Sequence, residues 1–89
     1  MDGLSDLAFF AIVVRKGSLA AAAQELGITP PAVSKRLAAI EARLRVRLLN
    51  RTTRRMSLTP EGETYLAEGE RLVAELESLE RKISGASVV

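Results

Sequence analysis

The segment from Ser18 to Leu37 leaves its backbone few options. Ser18 is a good N-cap, and Leu19, Ala22, Ala23 and Leu26 then share one face of a short helix. Gly27 fits the left-handed position that closes such a helix. Thr29 caps the next helix, and Pro30 sits at its first turn, where a missing N–H costs nothing. Pro31, one position further in, still lies among the unpaired donors. The reading is two short helices joined by a tight turn, the second carrying Ser34, Lys35 and Arg36 near its start.

The flanking residues build a frame for this unit. Leu4 to Lys16 reads as a first helix with Leu7, Phe10, Ala11 and Val14 as its buried stripe, ended by Gly17. Ala8, Phe9, Ile12 and Val13 are apolar too. A helix apolar nearly all round is covered on more than one side, either by its own core or by a second subunit. The third helix, about residues 30–45, has Val33, Leu37, Ile40 and Leu44 inside. At 100° per residue its opposite face is Pro31, Lys35, Ala38 and Ala42, flanked by Ser34 and Ala39. A solvated face usually carries several charges. This one is small residues around one lysine, which suits close approach to a partner. Leu48 to Arg51 and Met56 to Leu58 read as two short strands around the polar segment Thr52 to Arg55. Thr59-Pro60-Glu61 caps a helix running to about Ser84, in which Tyr65, Gly69, Leu72, Leu76, Leu79 and Ile83 form a heptad seam.

Charge and composition narrow the function classes. Residues 29–58 hold eight basic side chains (Lys35, Arg36, Arg43, Arg45, Arg47, Arg51, Arg54 and Arg55) against the single acid Glu41. Residues 59–89 hold seven glutamates against Arg71, Arg81 and Lys82, so the net +2 conceals a basic middle between mildly acidic ends. That distribution fits one surface for a polyanion, with a merely solvated face as the bland alternative. For Glu41 the expected partner is local, Arg45 four residues on, or Arg15. The chain of 89 residues is one domain, and aromatics are 3% of it, so its core rests on close helix packing. There is no Cys and no His, which removes disulfides, thiolate chemistry and the commonest general base and metal ligand. No cofactor or metal is expected. The start Met1-Asp2-Gly3-Leu4 lacks the basic region of a signal peptide, and the apolar run Leu7 to Val14 is far shorter than the ~20 residues of a membrane span. A soluble, cytoplasmic protein is expected.

The order of these features has a family pattern. Phe10-x-x-Val13, Gly17-Ser18-Leu19 and Ala22-Ala23-x-x-Leu26 run into Pro31-Ala32-Val33-Ser34-x-x-Leu37. Ile40-Glu41-x-x-Leu44, Leu48-Leu49-x-Arg51 and Leu58-Thr59-x-x-Gly62 follow. This set resembles the N-terminal DNA-binding domain of LysR-type bacterial transcriptional regulators over about residues 4–62. The resemblance implies a mainly α fold, a winged helix-turn-helix with a long C-terminal linker (dimerisation) helix. The implied division is 1–62 for the DNA-binding domain, 59–84 for the linker helix and 85–89 for the start of a hinge. It implies a homodimer on a pseudo-palindromic double-stranded DNA site, and a tetramer with bent DNA for a full-length regulator. A small-molecule effector would act only through a C-terminal domain outside these residues, which makes the chain an excised domain or a truncated product. Two departures stand out: Arg45 where the family often has Gly after Leu44, and Pro30 where it often has Gln.

Roles follow for single residues. Lys35 can donate to guanine O6 or N7, and Ser34 to a base or a phosphate. Pro31 and Ala32 suit a thymine methyl, and Pro30 lies beside them without a side-chain donor. Arg36 points sideways, toward a phosphate. Ser18 and Thr29, at helix N-termini, suit phosphates as well as capping. Arg54 is the candidate for a narrow minor groove, with Arg51, Thr53 and Arg55 on the backbone. The dimer interface is expected at Phe9, Val13, Tyr65, Gly69, Leu72, Leu76, Leu79 and Ile83. Three other classes compete. An enzyme lacks a base, a metal motif and a phosphate loop, and Ser34 and Lys35 point about 100° apart on a helix. A pure dimerisation module explains the seam but not the small-faced third helix. A sequence-blind architectural DNA binder explains the charge but not the helix-turn-helix spacing.

Overall fold

A computed structural model describes residues 3–50 and 56–85. The elements are α1 (Gly3–Lys16), α2 (Leu19–Leu26), α3 (Pro30–Leu44), β1 (Leu49–Asn50), β2 (Ser57–Leu58) and α4 (Pro60–Ser84). The starts of α2, α3 and α4 have caps that the sequence specifies. Ser18 Oγ accepts from Ala21 N at 3.0 Å, Thr29 Oγ1 from Ala32 N at 3.3 Å, and Thr59 Oγ1 from Gly62 N at 2.9 Å. Gly27 takes φ 71° and ψ 30° and returns its N–H to Ala23, which turns the chain from α2 toward α3.

The core forms where α1, α2 and α3 meet. Phe9, Phe10 and Val13 of α1 pack with Ala22 and Ala23 of α2 and with Val33, Leu37 and Ile40 of α3. Leu48 and Leu49 close it from below. The alanines let α2 lie near its neighbours, as a core poor in rings requires. The inner stripe expected for α3 is therefore the observed one, with Leu44 partly buried at its end. For α1 the expected stripe is displaced by one residue. Its buried members are Asp6, Phe9, Phe10 and Val13, while Leu7, Ala11 and Val14 are half-buried. That face includes Asp6, a buried acid at a place where an apolar pattern shows only a gap.

β1 and β2 pair antiparallel, Leu49 opposite Leu58 and Asn50 opposite Ser57. Among the described residues they are two residues each. The expected wing tip, Arg51 to Arg55, lies outside the described residues.

α4 is 25 residues, or about 37 Å, and packs against α1. Tyr65 meets Phe10 edge-on at 5.1 Å between ring centroids. Gly69 is buried, and a Cβ there would press on the Leu7 side chain. Burial, then the charge of Asp6, push the Tyr65 phenol above its ordinary value, with Arg43 opposing.

Arg45 closes α3 at φ 59° and ψ 42°, the only positive φ among the described non-glycine residues. Its N–H returns to Glu41 O, so the turn is a left-handed cap made without glycine. An L-residue there costs ~1–2 kcal/mol, of which glycine's extra freedom in the unfolded chain takes back a part. Arg45→Gly should therefore stabilise the domain by about 0.5–1 kcal/mol, read as a Tm higher by several degrees. An unchanged or lower Tm would mean that the arginine side chain compensates for its backbone.

Candidate nucleic-acid interface

The outer face of α3 is as bare as its sequence. Pro30, Pro31, Ala32, Lys35, Ala38, Ala39 and Ala42 are exposed, and Ser34 is half-buried. Lys35 joins no ion pair among the described residues and projects from this face alone. Thr29 and Ser18 are exposed at the starts of α3 and α2, their oxygens already accepting from the first turn. A hydroxyl used this way still has its proton to donate. The helix-turn-helix thus presents one ammonium and two donor-bearing N-termini around a floor of small side chains.

Arg36 requires a correction. The sequence reading points it at a phosphate, but the structure turns it back onto α1. Its Nη2 donates to Ser5 Oγ at 2.9 Å and to Asp6 Oδ1 at 3.4 Å, and its Cζ lies 4.4 Å from the centre of the Phe9 ring. Arg43 donates to the other oxygen of Asp6 at 2.9 Å. Asp6 itself is 1% exposed, so two arginines of α3 neutralise one buried carboxylate of α1.

Glu41 requires another. It is buried, and its Oε2 accepts from Leu48 N at 2.8 Å and Leu49 N at 3.3 Å, with Arg47 at 3.7 Å from Oε1. The acid of α3 thus holds the backbone that enters β1, rather than serving as a helix-surface ion pair. Its sequence signal was its isolation among eight basic residues. Asp6 left a fainter signal, a carboxylate three residues before Phe9 and two arginines a heptad apart on α3.

The expected dimer residues divide. Phe9 and Val13 are in the protomer's own core, which leaves them no surface for a second chain. Tyr65 and Gly69 are largely engaged with Phe10 and Leu7 of the same chain. The later seam stays open, with Leu72, Leu79 (52% exposed) and Ile83 (79%) in solvent and Leu76 half-buried. Of the residues expected to face DNA, Arg51, Thr53, Arg54 and Arg55 are outside the described residues.

A family model described as the bacterial regulatory helix-turn-helix protein, lysR family, matches residues 4–63. The chain belongs to the LysR family. DmlR of Escherichia coli strain K12, a helix-turn-helix-type transcriptional regulator, is 42% identical over 81 residues, 91% of this chain and 26% of that protein. The chain spans about a quarter of the length of the curated relatives it matches. Among solved structures, the BenM DNA-binding domain in complex with benA site 1 DNA superposes with a TM-score of 0.88 at 28% identity. That match covers 98% of this chain and all (100%) of the BenM domain. The CbnR DNA-binding domain in its complex with DNA gives 0.80 at 32% identity, with both chains fully (100%) covered. The mainly α, winged helix-turn-helix architecture of this chain is thus that of LysR DNA-binding domains. Its relatives are transcriptional regulators, not enzymes. No helix among the described residues is long and apolar enough to cross a membrane.

Proposed function

We propose that this LysR-family domain reads double-stranded DNA as a dimer on a pseudo-palindromic site, as part of a cytoplasmic transcriptional regulator. The observation that carries this is the outer face of α3, a surface of alanine and proline with Lys35 as its one long side chain. A major groove admits such a helix, and Lys35 and Ser34 reach for base edges while Pro31 and Ala32 meet thymine methyls. Thr29 and Ser18 take phosphates at helix N-termini. Arg51, Thr53, Arg54 and Arg55 follow the backbone and the minor groove. The likeness to DNA-bound BenM and CbnR domains supports the reading.

The dimer rests on the unpartnered stretch of α4. Leu72, Leu76, Leu79 and Ile83 continue a heptad beyond the part of α4 that α1 covers. Beside it runs an open groove of about 330 Å³ whose walls include Ala8, Ala11 and Ile12 of α1 and Val73 and Ala74 of α4. Residues 1–62 serve as the DNA-binding unit, 59–84 as the linker helix, and 85–89 as the start of a hinge. Leu79→Glu should leave a folded protein that sediments as a monomer at micromolar concentrations where the parent is a dimer. Equal sedimentation of the two would remove the seam from the interface.

Titration of a labelled duplex at several salt concentrations tests the DNA reading. With five to eight phosphates neutralised, log K should fall with log salt at a slope of about −5 to −7. Lys35→Gln should cost about 1–3 kcal/mol on a site selected from a random pool and relax its sequence preference. No binding at low salt overturns the reading, and equal affinity for every sequence replaces it with an architectural role.

A further inference from the structure

Arg36 lies one residue beyond Lys35 on α3, yet every hold on its guanidinium comes from α1: Ser5, Asp6 and the ring of Phe9. Arg43 lies seven residues later, about 20° away around the same helix, and grips the other oxygen of Asp6. Two turns of the recognition helix are thus pinned to one buried carboxylate. Drawing Arg36 away would leave that buried charge with half its compensation.

We propose that Asp6 is a positioning residue for DNA recognition, which withholds Arg36 from the phosphate backbone and fixes the rotation of α3 that aims Lys35. This rests on the DNA reading above. Its consequence is selectivity. A mobile arginine at position 36 would add a phosphate contact that every sequence offers equally, raising nonspecific binding without raising discrimination. Ser5 and Phe9 complete the restraint, one by a hydrogen bond and one by a cation–π contact.

The salt dependence of binding to a random-sequence duplex of about 30 base pairs, long enough for half-sites one turn apart, decides it. Arg36→Gln should leave the slope of log K against log salt unchanged, because no phosphate contact is lost. Asp6→Asn, which frees one Arg36 in each protomer of the dimer, should steepen the slope by about 2, so that affinity falls roughly 16-fold more over a fourfold rise in salt. Asp6→Asn combined with Arg36→Gln should return it to the parent value, a reversal that general loosening of the fold would not give. Circular dichroism checks that each variant is folded. If Asp6→Asn does not fold, the slope of Arg36→Gln against the parent decides alone. A slope in Arg36→Gln shallower by about 2, one phosphate contact per protomer, overturns the proposal, as does an unchanged slope in a folded Asp6→Asn. Absence of parent binding to any duplex at low salt is a different result, which defeats the DNA reading itself.

Discussion

Gly62→Ala should destabilise the domain by at least about 3 kcal/mol, a large part of the 5–15 kcal/mol that holds a domain folded. A methyl at position 62 would land on the carbonyl oxygen of Leu48, with the carbonyl carbon and Leu58 Cδ2 close behind. That carbonyl is not free to retreat. It accepts from Thr59 N at 3.0 Å, while Thr59 Oγ1 donates to Arg47 O at 2.6 Å and accepts from Gly62 N at 2.9 Å. Strand entry, helix cap and first turn of α4 are one knot, and room for a side chain appears only if it opens. Gly69→Ala provides the control. There the obstacle is the far end of the Leu7 side chain, which can turn, and removing a mid-helix glycine returns about 1 kcal/mol of helix propensity. Its net effect should stay within about 1 kcal/mol of zero. Urea denaturation of the three proteins tests this. A midpoint for Gly62→Ala equal to that of the parent would mean that α4 does not approach the strand entry so closely.

Local rules made much of this architecture readable. The caps at Ser18, Thr29 and Thr59, the turn at Gly27 and the inner stripe of α3 each depend on residues within a few positions of one another, and all are present. The bare face of α3 was legible for the same reason, because a helix fixes the direction of each side chain relative to its neighbours. What stayed hidden depends on contacts across long stretches of sequence. Asp6 meets Arg36 and Arg43 at separations of 30 and 37 residues, and no local pattern shows that an acid in an apolar helix has two cations waiting. The heptad of α4 misled for a related reason. A seam of period 3.5 shows that a helix face will be covered but not by what, and the cover changes along it. At Tyr65 and Gly69 it is α1 of the same chain; beyond them Leu72, Leu79 and Ile83 are exposed and Leu76 is half-buried. Arg45 shows another limit, since its left-handed backbone is a conformation that an arginine in sequence does not announce.

Replacing Glu41 with alanine should cost about 3 kcal/mol, far more than a solvated acid in a basic segment would. The carboxylate is the acceptor for two buried donors, Leu48 N–H and Leu49 N–H, and each such donor left unpaired costs about 1–3 kcal/mol. Glu41→Gln separates geometry from charge. An amide oxygen can take the place of Oε2 and keep both hydrogen bonds, but the charge that strengthens them and attracts Arg47 is gone, so a loss nearer 1 kcal/mol is expected. On the proposed DNA reading, the site also links two contact regions. Glu41 belongs to the helix that carries Lys35, and the amides it holds begin the strand that leads to Arg51–Arg55. Loosening it should therefore weaken DNA binding beyond what stability explains, with the loss concentrated in the contribution of residues 51–55. A double-mutant cycle of Glu41→Gln with Arg54→Gln on a selected site measures that coupling. Hydrogen exchange at Leu48 and Leu49 supplies the structural readout, since both amides should lose protection in Glu41→Ala while the α2 amides keep theirs. Parent-like protection at those two amides, with parent-like stability, would show that the acid does not hold the strand entry.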